Sequence, residues 1–312
     1  MLIIINYNYF YNYNLIMCEK LKPENIKMIK LLESKINDSK NENPSLIIEP
    51  IQWKNKNLNL IQDGYLIAGT KQRISVDFIK KILETNKKIT TLVYSGTSHG
   101  FGPVATAYAA YKLGLSSLIF LSDANTNKKE KNNTRQINTL HALNSQVYLC
   151  EDYFQAKKLK YKMTDIGKNM TDDKFYLVPM GLNDADGIMI KMLAKQIKKA
   201  SKNTILDTVK KKRFWLVAGT GGILMALNKA FPNSEFFIFL SGSGIHKKNI
   251  LNSYKTYKNI HLLEPENLDL SDSFSTVKNY DEYIWHYVKK YAIDGDFIWN
   301  VSSDDYLFID KV

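Results

Sequence analysis

Cysteine is almost absent, with two residues in 312, Cys18 and Cys150. That excludes a disulfide framework, and the five scattered histidines supply no metal-ligand spacing to go with it. So few thiols fit a reducing compartment, and a cytoplasmic location is expected. No stretch reaches the roughly 20 apolar residues that a bilayer requires, so no membrane partner is expected. The apolar, aromatic start "MLIIINYNYFYNYNLI" lacks a basic leading region and a small-residue cleavage site. It reads as a low-complexity extension, with Met17 as an alternative start. Acidic residues number 31 against 43 basic ones, a net charge of +12. The excess is dispersed, clustering only in short stretches such as "NKKEKNN" and "KKKRF". It therefore describes solvated loops and not a nucleic-acid surface. Tandem repeats and long linkers are also missing. With 45% hydrophobic residues, a 312-residue chain suits one large domain or two coupled ones around a real core.

What is present is one pattern, repeated. A short apolar strand runs into glycines, and an amphipathic helix follows. In "TTLVYSGTSHGFGPVATAYAAYKLG" the strand is expected to end near Tyr94 and the glycine-rich turn to span residues 95–102. The helix is expected to stop at Gly114, its C′ residue. "SSLIFLSDA" then completes a βαβ unit. "RQINTLHALNSQVYLCED" reads as helix then strand, and "KFYLVPMGLNDADGIMIKMLAKQIKKA" as strand, loop and helix. "RFWLVAGTGGILMALNKAFPNSEFFIFLSG" reads as strand, glycine turn, helix and strand. Such alternation means α/β architecture, with parallel sheets covered by helices. Segments before about residue 44 read as a polar helical arm, and "YDEYIWHYVKKY" as an amphipathic helix whose aromatics pack on the core.

Chemistry gathers around "YLIAGTKQRISVDFIKKIL". Lys71 is expected at the end of an apolar strand, just past Gly69 and ahead of an amphipathic helix. A solvated lysine needs no such setting. Two glycine turns join it. Ser95, Gly96, Thr97, Ser98, His99 and Gly100 offer hydroxyls and unhindered N–H groups at a helix start. Gly219, Thr220, Gly221 and Gly222 do the same before a second helix. Free N–H groups and the helix dipole stabilise an anion there, and glycine permits close approach. A phosphorylated aldehyde cofactor uses all three parts: an amine to condense with it, one turn for its phosphate, the other for its ring or a substrate carboxylate. Partial burial makes an amine give up its proton more readily and so more nucleophilic. His99 reads equally as a substrate contact, a proton relay or a helix cap, whereas Tyr65 and Tyr94 read as core residues.

In their order and spacing these motifs resemble the pyridoxal-phosphate enzymes of fold type II, the tryptophan-synthase-β type. The likeness is greatest to the branch of aminocyclopropane-carboxylate deaminase and D-cysteine desulfhydrase. The branch's Gly-Gly-Asn-Lys-x-Arg motif is matched by Ala68, Gly69, Thr70, Lys71, Gln72 and Arg73. "SGTSHGFGPVATAYAAYKLG" stands where a Ser-Asn-rich substrate loop enters an alanine-rich helix. Tyr176, Pro179, Gly181 and Gly187 match a Tyr-x-x-Pro-x-Gly stretch, and "VAGTGGILMAL" matches the phosphate-binding loop. The resemblance covers residues 48–245 or so.

The resemblance implies a two-lobed fold with pyridoxal 5′-phosphate in the cleft and a lyase or deaminase acting on a small amino acid. It implies domains at residues 44–75 plus 191–312 (large) and 76–190 (small), with residues 1–43 as an N-terminal arm, and a homodimer. Lys71 and Ser98 are the expected catalytic residues, Lys71 as both covalent partner and general base. The expected cofactor contacts are Lys71, Arg73, Ser95, Gly96, Thr97, Ser98, His99, Gly219, Thr220, Gly221 and Gly222. There are departures. Thr70 replaces the motif's asparagine, and no asparagine lies between Ser95 and Gly102. Glu264, Glu266 and Ser271 are the candidates to face the pyridine nitrogen. Two other readings stay open: a cofactor-binding pseudoenzyme of the same fold, and a Rossmann-like NAD(P)-binding protein with Asp123 closing the strand after the first turn. The G-x-G-x-x-G spacing of the latter is not met.

Overall fold

The computed structural model describes residues 16–17, 30, 32, 34, 43–97, 100–122, 135–150, 156–158, 174–182, 186–241, 257–263 and 282–303. The expected N-terminal arm lies almost wholly outside these residues. In chain order the first elements are β1 (Ile16–Met17), β2 (Ile48–Trp53), β3 (Lys56–Gln62), α1 (Gln72–Thr85), β4 (Thr91–Thr97), α2 (Gly102–Lys112) and β5 (Ser116–Ser122). Next come α3 (Arg135–Ala142), β6 (Gln146–Cys150), β7 (Phe175–Leu177), α4 (Ile188–Ala200) and the single turn α5 (Ile205–Thr208). The last are β8 (Arg213–Ala218), α6 (Gly222–Ala230), β9 (Glu235–Leu240), β10 (Ile260–Leu262), α7 (Glu282–Tyr291) and β11 (Phe297–Asn300). Short 3-10 turns occupy Asp63–Tyr65, Gly69–Lys71 and Met180–Leu182. Among the described residues no helix is long and apolar enough to cross a membrane.

The chain divides into two compact units. Unit 1 takes in residues 1–37 and 80–180, and unit 2 residues 38–79 and 181–312.

Unit 1 is built on a five-stranded sheet of order β1-β6-β5-β4-β7, parallel throughout except for β1. β4 and β5 are nearly continuous runs of buried residues, the pattern of parallel strands covered on both faces. α2 joins them and packs on both. Its alanines and glycine are small enough for the helix to be buried almost all round. It ends at Gly114, whose φ of 67° makes it the C′ glycine the sequence implies. The strand before it differs from expectation. β4 runs on through Ser95, Gly96 and Thr97, because β5 extends equally far and Thr97 pairs with Ser122. Those backbone groups find ladder partners, so the chain turns only after them.

Unit 2 carries a six-stranded sheet of order β10-β9-β8-β11-β3-β2, in which only β2 runs antiparallel. Trp215 stacks on Phe237 with centroids 4.4 Å apart. Ile284, Trp285, Tyr287 and Val288 of α7 pack into the same cluster with Leu58, Leu60 and Ile298, as the aromatic face of that helix implies.

The approach to Lys71 also differs from expectation. β3 stops at Gln62, and Lys71 ends a 3-10 turn instead of a strand. The apolar residues Leu66, Ile67 and Ala68 are buried, but none of the described strands pairs with them. Their segment bonds locally instead, Leu66 N–H to Asp63 C=O and Gly69 N–H to Leu66 C=O. The turn is then fastened to the end of β11. Thr70 N–H donates to Val301 C=O at 3.0 Å, and the fully buried Thr70 Oγ1 accepts from Trp299 Nε1 at 3.0 Å.

This fastening makes a prediction. Thr70→Val leaves the buried Trp299 N–H without its acceptor and should cost about 1–3 kcal/mol in chemical denaturation. Combining it with Trp299→Phe should cost less than the sum of the two single changes, since the double variant leaves no orphaned donor.

Candidate active site

Two parts of the candidate site belong to unit 2. The first is the Lys71 turn. Gly69 has φ 59°, and a Cβ there would lie 2.5 Å from the Val301 carbonyl oxygen, so only glycine lets the turn approach β11 this closely. Ala68 N–H donates to Gln72 Oε1 at 3.1 Å, bracing the turn from the first residue of α1. Thr70 and Gln72, on either side of Lys71, are buried, and Lys71 itself is half-buried. Its side chain thus leaves a support whose two flanking residues are both fixed.

Arg73, expected among the cofactor contacts, is engaged with the protein. Its Nε donates to both oxygens of Asp63 at 3.1 and 3.2 Å, and its Nη2 to Asp63 Oδ1 at 2.6 Å. Its Nη1 donates to Asn43 Oδ1 at 2.8 Å and to Pro44 C=O at 2.6 Å. Four of the five guanidinium protons are therefore directed into the protein, so Arg73 braces the turn.

The second part is the glycine turn after β8. Gly219 and Thr220 are half-buried, Gly221 is left-handed at φ 80°, and α6 begins at Gly222. The N-cap has no side chain to satisfy the first turn, and that turn contains no acidic residue. Its backbone N–H groups and the helix dipole suit a phosphate. Two contacts hold the turn from below. Gly181, at φ 68°, lies beneath Thr220, and a Cβ on it would collide with the Thr220 hydroxyl. A Cβ on Gly222 would lie 2.9 Å from Met189 Cε of α4. Gly181 and Gly187, two glycines singled out in the sequence, both adopt positive φ, Gly187 as the N-cap of α4.

In unit 1, Ser95 is buried within β4, and Gly96 lies where a Cβ would come 2.7 Å from the Tyr94 ring. Thr97 is exposed at the strand's end, and Gly100 N–H donates back to its carbonyl at 3.2 Å. Ser98 and His99 lie outside the described residues, as do Glu264, Glu266 and Ser271. Tyr94 is buried in the core as expected. Tyr65 is buried too, but its hydroxyl meets Glu49, and burial together with that carboxylate holds the phenol protonated well above its ordinary range.

Sequence reasoning missed the chain just after β11. Asn300, Ser302 and Ser303 are all buried, Ser302 against Gly69 of the Lys71 turn and the other two against Gly64 of the preceding turn. A Cβ on Gly64 would lie 3.1 Å from Asn300 Nδ2 and from Ser303 Cβ, and one on Gly69 3.1 Å from Ser302 Oγ. Asn300 Nδ2 donates to Gln62 Oε1 at 2.7 Å, and Gln62 Nε2 to Glu49 Oε2 at 3.1 Å. The available signal was "FIWNVSS", a short apolar strand running into small polar residues, the same pattern read at the glycine turns.

In sequence, no family profile and no curated protein matches the chain. In structure it is similar to an ACC deaminase homologue, with a TM-score of 0.62 at 15% identity over 93% of this chain and 98% of that one. A hydrogen sulfide-producing enzyme from Fusobacterium nucleatum gives a TM-score of 0.56 at 17% identity, over 89% and 98% of the two chains. Escherichia coli diaminopropionate ammonia lyase, in complex with an aminoacrylate–PLP azomethine reaction intermediate, gives 0.55 at 10% identity, over 96% and 97%. The chain has the fold of these proteins, α/β with mainly parallel sheets flanked by helices, and it is the architecture that the motifs implied.

The packing of Gly181 under Thr220 is testable by itself. Gly181→Ala should push Thr220 aside, lower the urea midpoint and speed amide exchange at residues 219–222. Adding Thr220→Ala should relieve the collision and restore slow exchange, leaving only the cost of a left-handed alanine, about 1 kcal/mol.

Proposed function

We propose that the protein binds pyridoxal 5′-phosphate and is a lyase or deaminase acting on a small amino acid. The observation that carries this reading is that one unit presents a lysine on a rigid turn together with a side-chain-free helix N-terminus suited to phosphate. The residues fit the cofactor. Gly221 is left-handed and a Cβ on Gly222 would press on Met189, so both positions suit glycine, and no carboxylate stands in the first turn of α6 to repel the phosphate. The fold shared with amino-acid lyases and deaminases supports the same conclusion.

In this reading the 219–222 backbone amides hold the phosphate dianion at the positive end of α6. The Lys71 amine would hold the cofactor at its aldehyde and would take up the proton released at the substrate's Cα. Bound pyridoxal phosphate supplies an electron sink for the pair left behind at Cα. Ser302 brings a hydroxyl to the Lys71 turn, and Ser303 follows it in the chain; a serine hydroxyl can share a hydrogen bond with a ring nitrogen. Thr97, with Ser98 and His99 of the same loop, offers donors to the ring's phenolate oxygen or to a substrate carboxylate. Aminocyclopropane carboxylate, D-cysteine and related amino acids with a strained ring or a Cβ leaving group are the substrates this chemistry favours.

Borohydride reduction of the protein loaded with pyridoxal phosphate should place a pyridoxyl group on Lys71 in peptide mapping. Label on a different lysine, or none, defeats the assignment. Lys71→Ala should abolish the cofactor's absorbance band while leaving the circular dichroism intact. Gly221→Val, strained at positive φ and intruding on the cradle, should weaken cofactor affinity more than tenfold, or more than about 1.4 kcal/mol.

Activity is decided by a panel of aminocyclopropane carboxylate, both cysteine enantiomers, serine and threonine, scored for ammonia and keto acid. Slow turnover of a narrow subset is expected, because no asparagine stands in the 95–102 loop. A blank panel with Lys71 labelled would leave a cofactor-binding protein and end the enzyme reading.

A further inference from the structure

Arg73 and Asp63 form an ion pair at 2.6 Å with side chains only 2% and 1% exposed. Burying two charges is an inefficient way to stabilise a fold, since well-packed apolar residues generally do as well. What a guanidinium adds is direction: its planar fork fixes the angle between everything it bonds. Here one edge of the fork grips Asp63, at the start of the segment that ends in Lys71. The Nη1 corner grips Asn43 and Pro44.

The connection continues from Asn43. Its Nδ2 donates to Gln196 Oε1 at 2.9 Å and to Gln196 C=O at 3.1 Å, on α4. Gln196 Nε2 in turn donates to Asp77 Oδ2 at 3.0 Å, on α1. α4 is also the helix on which the phosphate cradle rests, through Met189 beneath Gly222. Met189 and Gln196 are two helical turns apart, about 10 Å along the axis. The Lys71 turn and the Gly221–Gly222 turn are therefore both referenced to one rigid rod.

We propose that Arg73 is a positioning residue that sets the separation between the Lys71 amine and the N-terminus of α6. A single phosphorylated aldehyde then meets both without either part having to move. This deepens the cofactor reading given above and rests on it. A ligand held at two points gains from both only when their spacing matches its own length, so a small error in that spacing removes the second contact's contribution.

The test separates the two contacts. Pyridoxine 5′-phosphate carries the phosphate but no aldehyde, so it reports the cradle alone, whereas pyridoxal 5′-phosphate reports cradle and amine together. Arg73→Lys keeps the charge but cannot bridge Asp63 and Asn43. Asn43→Ala leaves the buried ion pair intact and removes the bridge from Arg73 through Asn43 to α4, so it carries the test if Arg73→Lys fails to fold. Pyridoxal phosphate affinity should fall at least tenfold in Arg73→Lys and at least threefold in Asn43→Ala, with pyridoxine phosphate affinity changed less than twofold in both. In cofactor-free protein, trace acetylation of Lys71 relative to the exposed Lys87 should change at least threefold in Arg73→Lys. Equal weakening of both probes, or no change in either, overturns the positioning role while wild-type binding of both leaves the cofactor reading standing. Wild-type protein that binds neither probe overturns the cofactor reading and this inference together.

Discussion

Gly69 sits so close to the end of β11 that no side chain could be interposed, and much of the candidate site depends on that approach. Because Val301 C=O accepts from Thr70 N–H, the turn carrying Lys71 is joined to the central part of unit 2's sheet, although no strand of that sheet leads directly into it. A lysine on an unsupported loop would lose its position to chain entropy. Here the neighbouring residues are ordered by the core, so fixing the amine carries little additional cost. The same approach brings Ser302 to the turn, so two elements far apart in sequence meet there.

The polar networks behind the turn point the same way. Glu49, Gln62 and Asn300 form one chain of hydrogen bonds, and Asp63, Arg73, Asn43 and Gln196 another. Buried polar groups of this kind restrict a fold to one arrangement, because any alternative leaves donors and acceptors unmatched. Apolar packing, by contrast, tolerates small slides. Unit 2 uses its aromatic cluster for cohesion and these networks for alignment, and the alignment is concentrated beneath Lys71.

The alternation of strands and helices was readable because buried parallel strands and glycine turns leave strong local signatures. "TLVYSGT" and "SLIFLS" could be little else, and Gly114 marked its helix end correctly. Where local pattern misled, a distant partner decided. "YLIA" has the composition of a strand, but none of the described strands pairs with it, and its segment is buried with local turn bonds instead. Ser95, Gly96 and Thr97 look like a turn, but β5 holds them in the ladder. Arg73 looked like a ligand donor because its motif places it beside the lysine, and nothing nearby in sequence announces Asn43 or Asp63 as its partners. The polar end of β11 escaped notice because serines after a short strand are common and acquire meaning only when Gly69 is found against them.

Thr70 shows how such a departure becomes intelligible. In the motif the chain resembles, an asparagine precedes the lysine, and its longer amide would extend further from the backbone. Thr70 has instead a short, branched side chain whose hydroxyl is engaged by the Trp299 indole N–H and lies beside Val301 C=O. A fully buried hydroxyl engaged in this way belongs to the core, not to a ligand surface. Any polar contact to a bound ring must then come from other residues. Near the turn, the Ser302 hydroxyl lies next to Gly69 and the Ser303 Cβ next to Gly64, the two points where a missing Cβ admits them. The threonine thus ties the residue before the lysine to the end of β11, and Lys71 keeps its support.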